Sequence, residues 1–267
     1  MNRQKKIIVL AVVMTFCILA NAHELWLQPD KFFYKAGEIL KVSFKSGSYF
    51  TATSTTVMNT DIDKLELHTL TAVVDLKPNL VSNQKENISY PLVSEGTPVV
   101  IMQTHNQFIE TESAIFNAYL KESGLEDAAY ARESSGTKNK AGKENIRHYT
   151  KLIIQVGEKR DDTFRKVLGL PIEIIPEKNP YNVKVGDLIK FKVLANGKPL
   201  FGAKVNVWNR ENNRTLIQPA YTLQDGTIEA RISNKGAWMV SVVSMIPSKD
   251  KTADWQSYKG SLVFGVQ

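Results

Sequence analysis

Apolar and polar residues alternate along most of this chain. Leu40, Val42 and Phe44 recur at every second position behind the turn residues Lys35-Ala36-Gly37-Glu38, and Leu65 and Leu67 repeat the pattern. Successive side chains of a strand point to opposite faces, so this spacing predicts half-buried strands. Ser94-Glu95-Gly96-Thr97 reads as a turn between strands at 90–93 and 99–102. Thr150, Leu152, Ile154 and Val156 form a further alternating set. In the last third, Ile189, Phe191 and Val193 precede Asn196-Gly197, a pair suited to a tight hairpin in which both central residues need positive φ. Val205 and Val207 follow, then an Asp225-Gly226 turn, Ile228, Ala230 and Ile232, and strands from Gly236-Ala237-Trp238 and through 262–266.

One segment has a different period. Between about 111 and 135, Ala114, Ile115, Ala118 and Tyr119 recur at helical spacing, with Thr111 as the expected N-cap and Gly124 in the left-handed position after the last turn. A second short helix is expected at about 126–133. The polar run 134–143, rich in lysine and glycine, reads as an exposed, mobile loop. Pro176-Glu177-Lys178-Asn179-Pro180 suits a connection between domains. The pattern therefore predicts a mainly β protein of two β-sandwich domains: residues 23–176 with a helical insertion at about 111–135, and residues 177–267.

The N-terminus adds a destination. Met1-Asn2-Arg3-Gln4-Lys5-Lys6 is basic, residues 7–19 carry no charge, and Ala20-Asn21-Ala22 is an A-x-A cleavage site. This is the pattern of a secretory signal peptide over residues 1–22, and the run is shorter than the ~20 residues of a membrane span. Cys17 follows Phe16, which does not suit a lipoprotein. Export to the periplasm is the expectation, with no stable membrane insertion. Cleavage removes 22 of 267 residues, the single cysteine and three of 34 basic residues, so 245 residues remain with a net charge of +4. No disulfide is then available, and stability rests on buried apolar area. The charge is too mild to suggest nucleic acid as a partner.

Four stretches resemble a large, poorly characterised family of bacterial periplasmic proteins labelled as periplasmic components of cobalt or nickel uptake. They are Ala22-His23-Glu24-Leu25-Trp26-Leu27-Gln28-Pro29, the residues 108–110 with 116–125, the run 168–181, and Ala253-Asp254-Trp255-Gln256-Ser257. The resemblance implies binding of nickel or cobalt and a partner transporter in the outer or inner membrane. Residues 197–205, Gly-Lys-Pro-Leu-Phe-Gly-Ala-Lys-Val, are similar to the opening hairpin of transthyretin-like and carboxypeptidase-regulatory-like sandwiches, which bears on fold alone.

The candidate chemistry starts at His23. A histidine at a free N-terminus offers its α-amine and imidazole Nδ1 to one ion, and such nitrogens suit nickel, cobalt, copper or zinc. His105, at the end of a predicted strand beside the helical insertion, and His148, near the start of the next strand, are the further metal candidates. Glu24, Glu110 and Glu112 are carboxylates within reach in sequence, whereas His68 alternates with Glu66 and is expected to face solvent. No H-E-x-x-H or paired C-x-x-C spacing is present. Trp26, Trp208, Trp238 and Trp255 fall in or beside strands and are expected in cores rather than on a sugar-stacking surface. There is no G-x-S-x-G elbow, P-loop or Rossmann glycine set, and no motif nominates a glycosidase carboxylate pair, so the chain reads as a binding protein and not an enzyme. Two readings stand: a periplasmic binder of a divalent transition metal (Ni, Co or Cu) that assists uptake, and a metal-independent carbohydrate-binding or adhesion module of the cell envelope.

Overall fold

The computed structural model describes residues 24–52, 61–81, 87–212 and 214–267. His23 and the expected signal segment lie outside the described residues. The protein is mostly strand, arranged in several sheets with two α-helices among the described residues, in a sandwich architecture.

Among the described residues, nine strands form a central sheet. Its order is β16 (Arg214–Tyr221), β15 (Lys204–Glu211), β18 (Gly236–Pro247), β19 (Trp255–Val266), β10 (Gly142–Ile153), β8 (Val99–Thr104), β5 (Ile62–His68) and β6 (Val73–Asp75), with β9 (Gln107–Thr111) also on β10. Every pair is antiparallel except β10 with β19. A parallel pair needs a long crossover, and here the chain between the two strands builds most of the second half of the molecule. Strands from both sides of residue 176 thus share one sheet.

The register sorts the core. Val100, Met102, Leu152, Val263, Met239 and Trp208 point to one face. They pack with Trp26, Leu27, Leu40, Val42 and Phe44 of a small sheet made of β1 (Glu24–Pro29), β3 (Ile39–Ser48), β4 (Thr51–Ala52) and β7 (Ile88–Pro91). Ile101, Ile153, Leu262, Phe264, Val240 and Val207 point to the other face. There they meet Ile172, Ile174, Phe191 and Ile228 of a second small sheet, formed by β12 (Ile172–Pro176), β13 (Leu188–Ala195), β14 (Lys198–Pro199) and β17 (Thr227–Arg231). All four tryptophans are buried, as their strand positions predict. Each large apolar side chain so enclosed contributes on the order of 1.5–3 kcal/mol.

The alternating set at 150–156 is not one strand. The chain leaves the central sheet after Ile153, and Gln155–Val156 (β11) pairs instead with Phe33–Tyr34 (β2). The Gln155 amide fixes this departure by donating to the carbonyls of Val156, Gly157 and Lys159, while its oxygen accepts from the Thr97 hydroxyl. Upstream, β10 begins at Gly142, which places His148 in the middle of a strand.

The helical insertion comprises α1 (Ser113–Glu122) and α2 (Glu126–Ser134). Glu112, not Thr111, caps α1: its carboxylate accepts from the Ala114 and Ile115 backbone N–H groups, while Thr111 ends β9. A carboxylate in this place satisfies orphan donors and the positive end of the helix dipole together. Gly124 takes φ +67°, as expected after the last turn. The lysine-rich segment after α2 is exposed but anchored. Arg132 is buried over the Phe116 ring and donates to the carbonyls of Lys138 and Lys140. No helix among the described residues is long and apolar enough to cross a membrane.

Candidate functional site

The helices and the first small sheet cover adjacent parts of the same face of the central sheet. Phe116, Tyr119 and Leu120 of α1 pack with Trp255, and β1 packs farther along. Between them is a seam that neither cover fills. It holds a cavity of about 120 Å³, lined by Glu24 and Leu25 from β1, Tyr119 and Glu122 from α1, and His148, Asn206, Trp208, Ser241 and Lys259 from the central sheet.

Register explains the gathering. His148 and Lys259 are partners on β10 and β19, and Asn206 and Ser241 are partners on β15 and β18. Glu144 and Ser257 lie on the same face, two strand steps or fewer from that row. The floor is therefore a polar band in an otherwise apolar sheet face. β1 is tied to it by the Ser261 hydroxyl, which donates a 2.7 Å bond to the Leu25 carbonyl. Trp208 Nε1 donates to Ser241 Oγ at 3.0 Å, and Tyr119 OH donates to Glu144 Oε1 at 3.4 Å. The Lys259 ammonium lies 5.0 Å from the centre of the Tyr119 ring.

Burial dominates the electrostatics. Desolvation pushes the Glu24 carboxyl up to about 7, with Lys259 pulling the other way and Glu122 adding to the rise. Burial likewise raises Glu144, against the opposing charge of Lys259. Burial and then the neighbouring Lys259 charge push His148 down to about 3, so its imidazole is neutral at physiological pH. Lys259 is itself lowered by burial, with Glu144 and Glu24 restoring part of the loss. Ser257 stands near enough to favour the charged Glu144 carboxyl but makes no well-formed bond with its hydroxyl. Glu24 Oε2, Glu144 Oε2 and Asn206 Oδ1 are shielded from solvent and have no hydrogen-bond partner among the described residues. Unpaired buried acceptors are costly, and each invites a ligand that carries donors or positive charge.

The mouth has an unusual hairpin. Tyr49 and Phe50 connect β3 to β4 with φ of +56° and +53°, where glycine or asparagine is the usual choice. The turn buries Phe50 against Trp26 and sets Tyr49 edge-on to Trp208, ring centres 5.9 Å apart.

Of the metal candidates, His148 lines this cavity and Glu24, also on its wall, is covalently next to His23. His105 does not line it: it is exposed in the short turn between β8 and β9, its N–H donating to the Asp61 carbonyl. Glu110 is exposed on β9, and Glu112 is engaged as the cap of α1. His68 has an Nε2–Glu66 Oε2 contact of 2.9 Å. Among the described residues no three His, Cys, Asp or Glu side chains are grouped for metal binding. Asp254 has a turn role, its carboxylate accepting from the Lys143 N–H. Glu144, Lys259, Asn206 and Tyr119 were not legible as site residues. The available signal was their polarity at core-facing positions of apolar strands, which only the register makes readable.

The family model described as "Domain of unknown function (DUF4198)" matches residues 20–246. The chain belongs to this family. The match runs from the β1 wall of the cavity through β18, so most of the site lies within the DUF4198 region. No curated protein matches the chain. Among solved structures, it is similar to dimeric latent PorU from Porphyromonas gingivalis at 12% identity and a TM-score of 0.21, covering 94% of this chain and 21% of that one. Salmonella α2-macroglobulin mutant Y1175G shows 11% identity and a TM-score of 0.22, covering 90% and 15%. A tetra-tandem repeat from the extending region of a large adhesion protein shows 8% and 0.22, covering 92% and 50%. The chain thus spans half or less of the length of these three structures.

Proposed function

We propose that this DUF4198 protein is an exported binding protein for a divalent transition metal, nickel or cobalt first, which it captures at the seam cavity and passes to an uptake system. The observation that carries the reading is that His148, a half-buried and neutral imidazole, lines the same cavity as Glu24, the residue that follows His23. A chain cut after Ala22 would present the α-amine and imidazole of His23 within one residue of that wall. Neutral imidazole and amine nitrogens with one carboxylate form a donor set suited to nickel, cobalt or copper. The partnerless Glu24 oxygen fits a cationic guest, and metal binding would displace the proton that burial holds on this carboxyl. His105 takes no part in the site so drawn.

The test is calorimetry with Ni²⁺ and Co²⁺ on three chains: one beginning at His23, one with an added residue ahead of it, and His148→Ala in the first background. Binding near 1:1 that weakens in both altered chains supports the reading. Equal affinity in all three sinks it.

A further inference from the structure

The cavity offers more space and a different wall than an ion alone requires. Its volume of about 120 Å³ is room for several waters. Part of its lining is apolar, made by Leu25, Trp208, Ile217 and Val242, with the exposed Tyr49 edge-on to Trp208 at the mouth. Beside these apolar side chains lie acceptor atoms left unpaired. Glu24 Oε2 and Asn206 Oδ1 are closed off from solvent and unpartnered among the described residues, and Glu144 Oε2 is in the same state in the polar band behind them. The two ammonium groups on the wall leave these three oxygens without a hydrogen bond. Lys204 Nζ donates to the Glu122 carbonyl at 2.7 Å, and Lys259 lies against the Tyr119 ring, where the Glu144 and Glu24 charges both act on it.

We propose that the cavity binds a small organic ammonium compound, its charged head on the acceptors of Glu24 and Asn206 and its apolar body against Trp208, Ile217 and Tyr49. An ammonium group brings three donors and one positive charge, which suits the orphan acceptor atoms of Glu24 and Asn206. The aromatic edge at the mouth suits a flat or branched apolar tail, and such pockets commonly combine an apolar lining with a few placed polar groups. The inference goes beyond metal capture and is independent of His23, since every side chain it uses is described.

The test uses the chain with one residue added ahead of His23, stripped with EDTA, so that failure of the metal reading cannot affect it. Titration with 2-phenylethylammonium and with its neutral counterpart 2-phenylethanol, followed by calorimetry and tryptophan fluorescence, should show the ammonium binding at least roughly tenfold more tightly, as a charge-assisted hydrogen bond allows. Glu24→Gln, nearly isosteric, should abolish that preference, and Asn206→Asp should strengthen it. Tyr49→Ala should weaken both compounds together. Equal affinity for the two compounds, saturation by neither, or a preference unchanged in Glu24→Gln overturns the proposal. Strengthening in Asn206→Asp keeps the test decisive should Glu24→Gln not fold.

Discussion

His148 and Lys259 are register partners on the parallel strands β10 and β19, side by side on the sheet face beneath the seam. Burial, reinforced by the Lys259 charge, holds the imidazole pKa down at about 3 against an ordinary value of 6.5. A base whose folded pKa is depressed takes up its proton more readily in the unfolded chain. The stability tied to a neutral His148 is therefore fully present above pH 6.5 and is lost as pH falls from there toward 3. Between pH 6.5 and 5 the loss is about 2 kcal/mol, from about 1.4 kcal/mol per pH unit. Thermal melts of metal-stripped protein should fall across this window, and His148→Gln should flatten the trend. A parallel decline in the variant would place the acid sensitivity elsewhere.

The Glu24 carboxyl runs the other way. Its folded pKa, raised to about 7 chiefly by desolvation, means the native state holds a proton that the unfolded chain releases. That stabilisation is complete below the unfolded value of about 4.5 and disappears as pH rises through 7. Glu24→Gln keeps the neutral form at every pH. Denaturant midpoints for the wild type and this variant should converge below pH 4.5, separate as pH rises from there to about 7 and stay apart above it, with the variant the more stable.

Much of the fold was legible because burial follows period two. Leu40, Val42 and Phe44 are buried on one face of β3, Asn196 and Gly197 both take positive φ, and the helical segment contains α1 and α2. The site was legible only in part. His148 and Glu24 were nominated from chemistry, but the pairing of β10 with β19 joins residues more than a hundred positions apart in parallel. No local pattern encodes that register. Without it, Glu144 and Lys259 read as ordinary charges in strands. The cap of α1 falls on Glu112, one residue after the expected Thr111, because Thr111 is still held in the ladder between β9 and β10.

Lys151 and Glu173 form an ion pair of 3.0 Å buried on both sides. Glu173 also accepts from the Leu168 and Gly169 N–H groups, so it organises the segment before β12 as well as neutralising the lysine. Lys151→Met leaves a buried carboxylate and should cost about 3–5 kcal/mol. The double variant Lys151→Met/Glu173→Leu should recover only part of this, because the two backbone donors then lose their acceptor. Urea unfolding of the three proteins gives the comparison. Full recovery in the double variant would mean that those backbone bonds contribute nothing.

The Tyr49–Phe50 turn sets strain against contact. Each non-glycine residue in the left-handed region costs on the order of 1–2 kcal/mol. Phe50 offsets this by its burial against Trp26, whereas Tyr49 is largely exposed and gains mainly one edge-on contact with Trp208, worth about 0.5–1.5 kcal/mol. The two magnitudes for Tyr49 nearly cancel. Tyr49→Gly should therefore leave the unfolding free energy within about 1 kcal/mol of the wild type, while Phe50→Gly, which empties a core position, should cost about 3–5 kcal/mol. If Tyr49 is kept at this mouth for the cavity and not for the fold, the same Tyr49→Gly protein should bind 2-phenylethylammonium more weakly at unchanged stability. A loss of stability as large as that of Phe50→Gly would instead make Tyr49 part of the core's support.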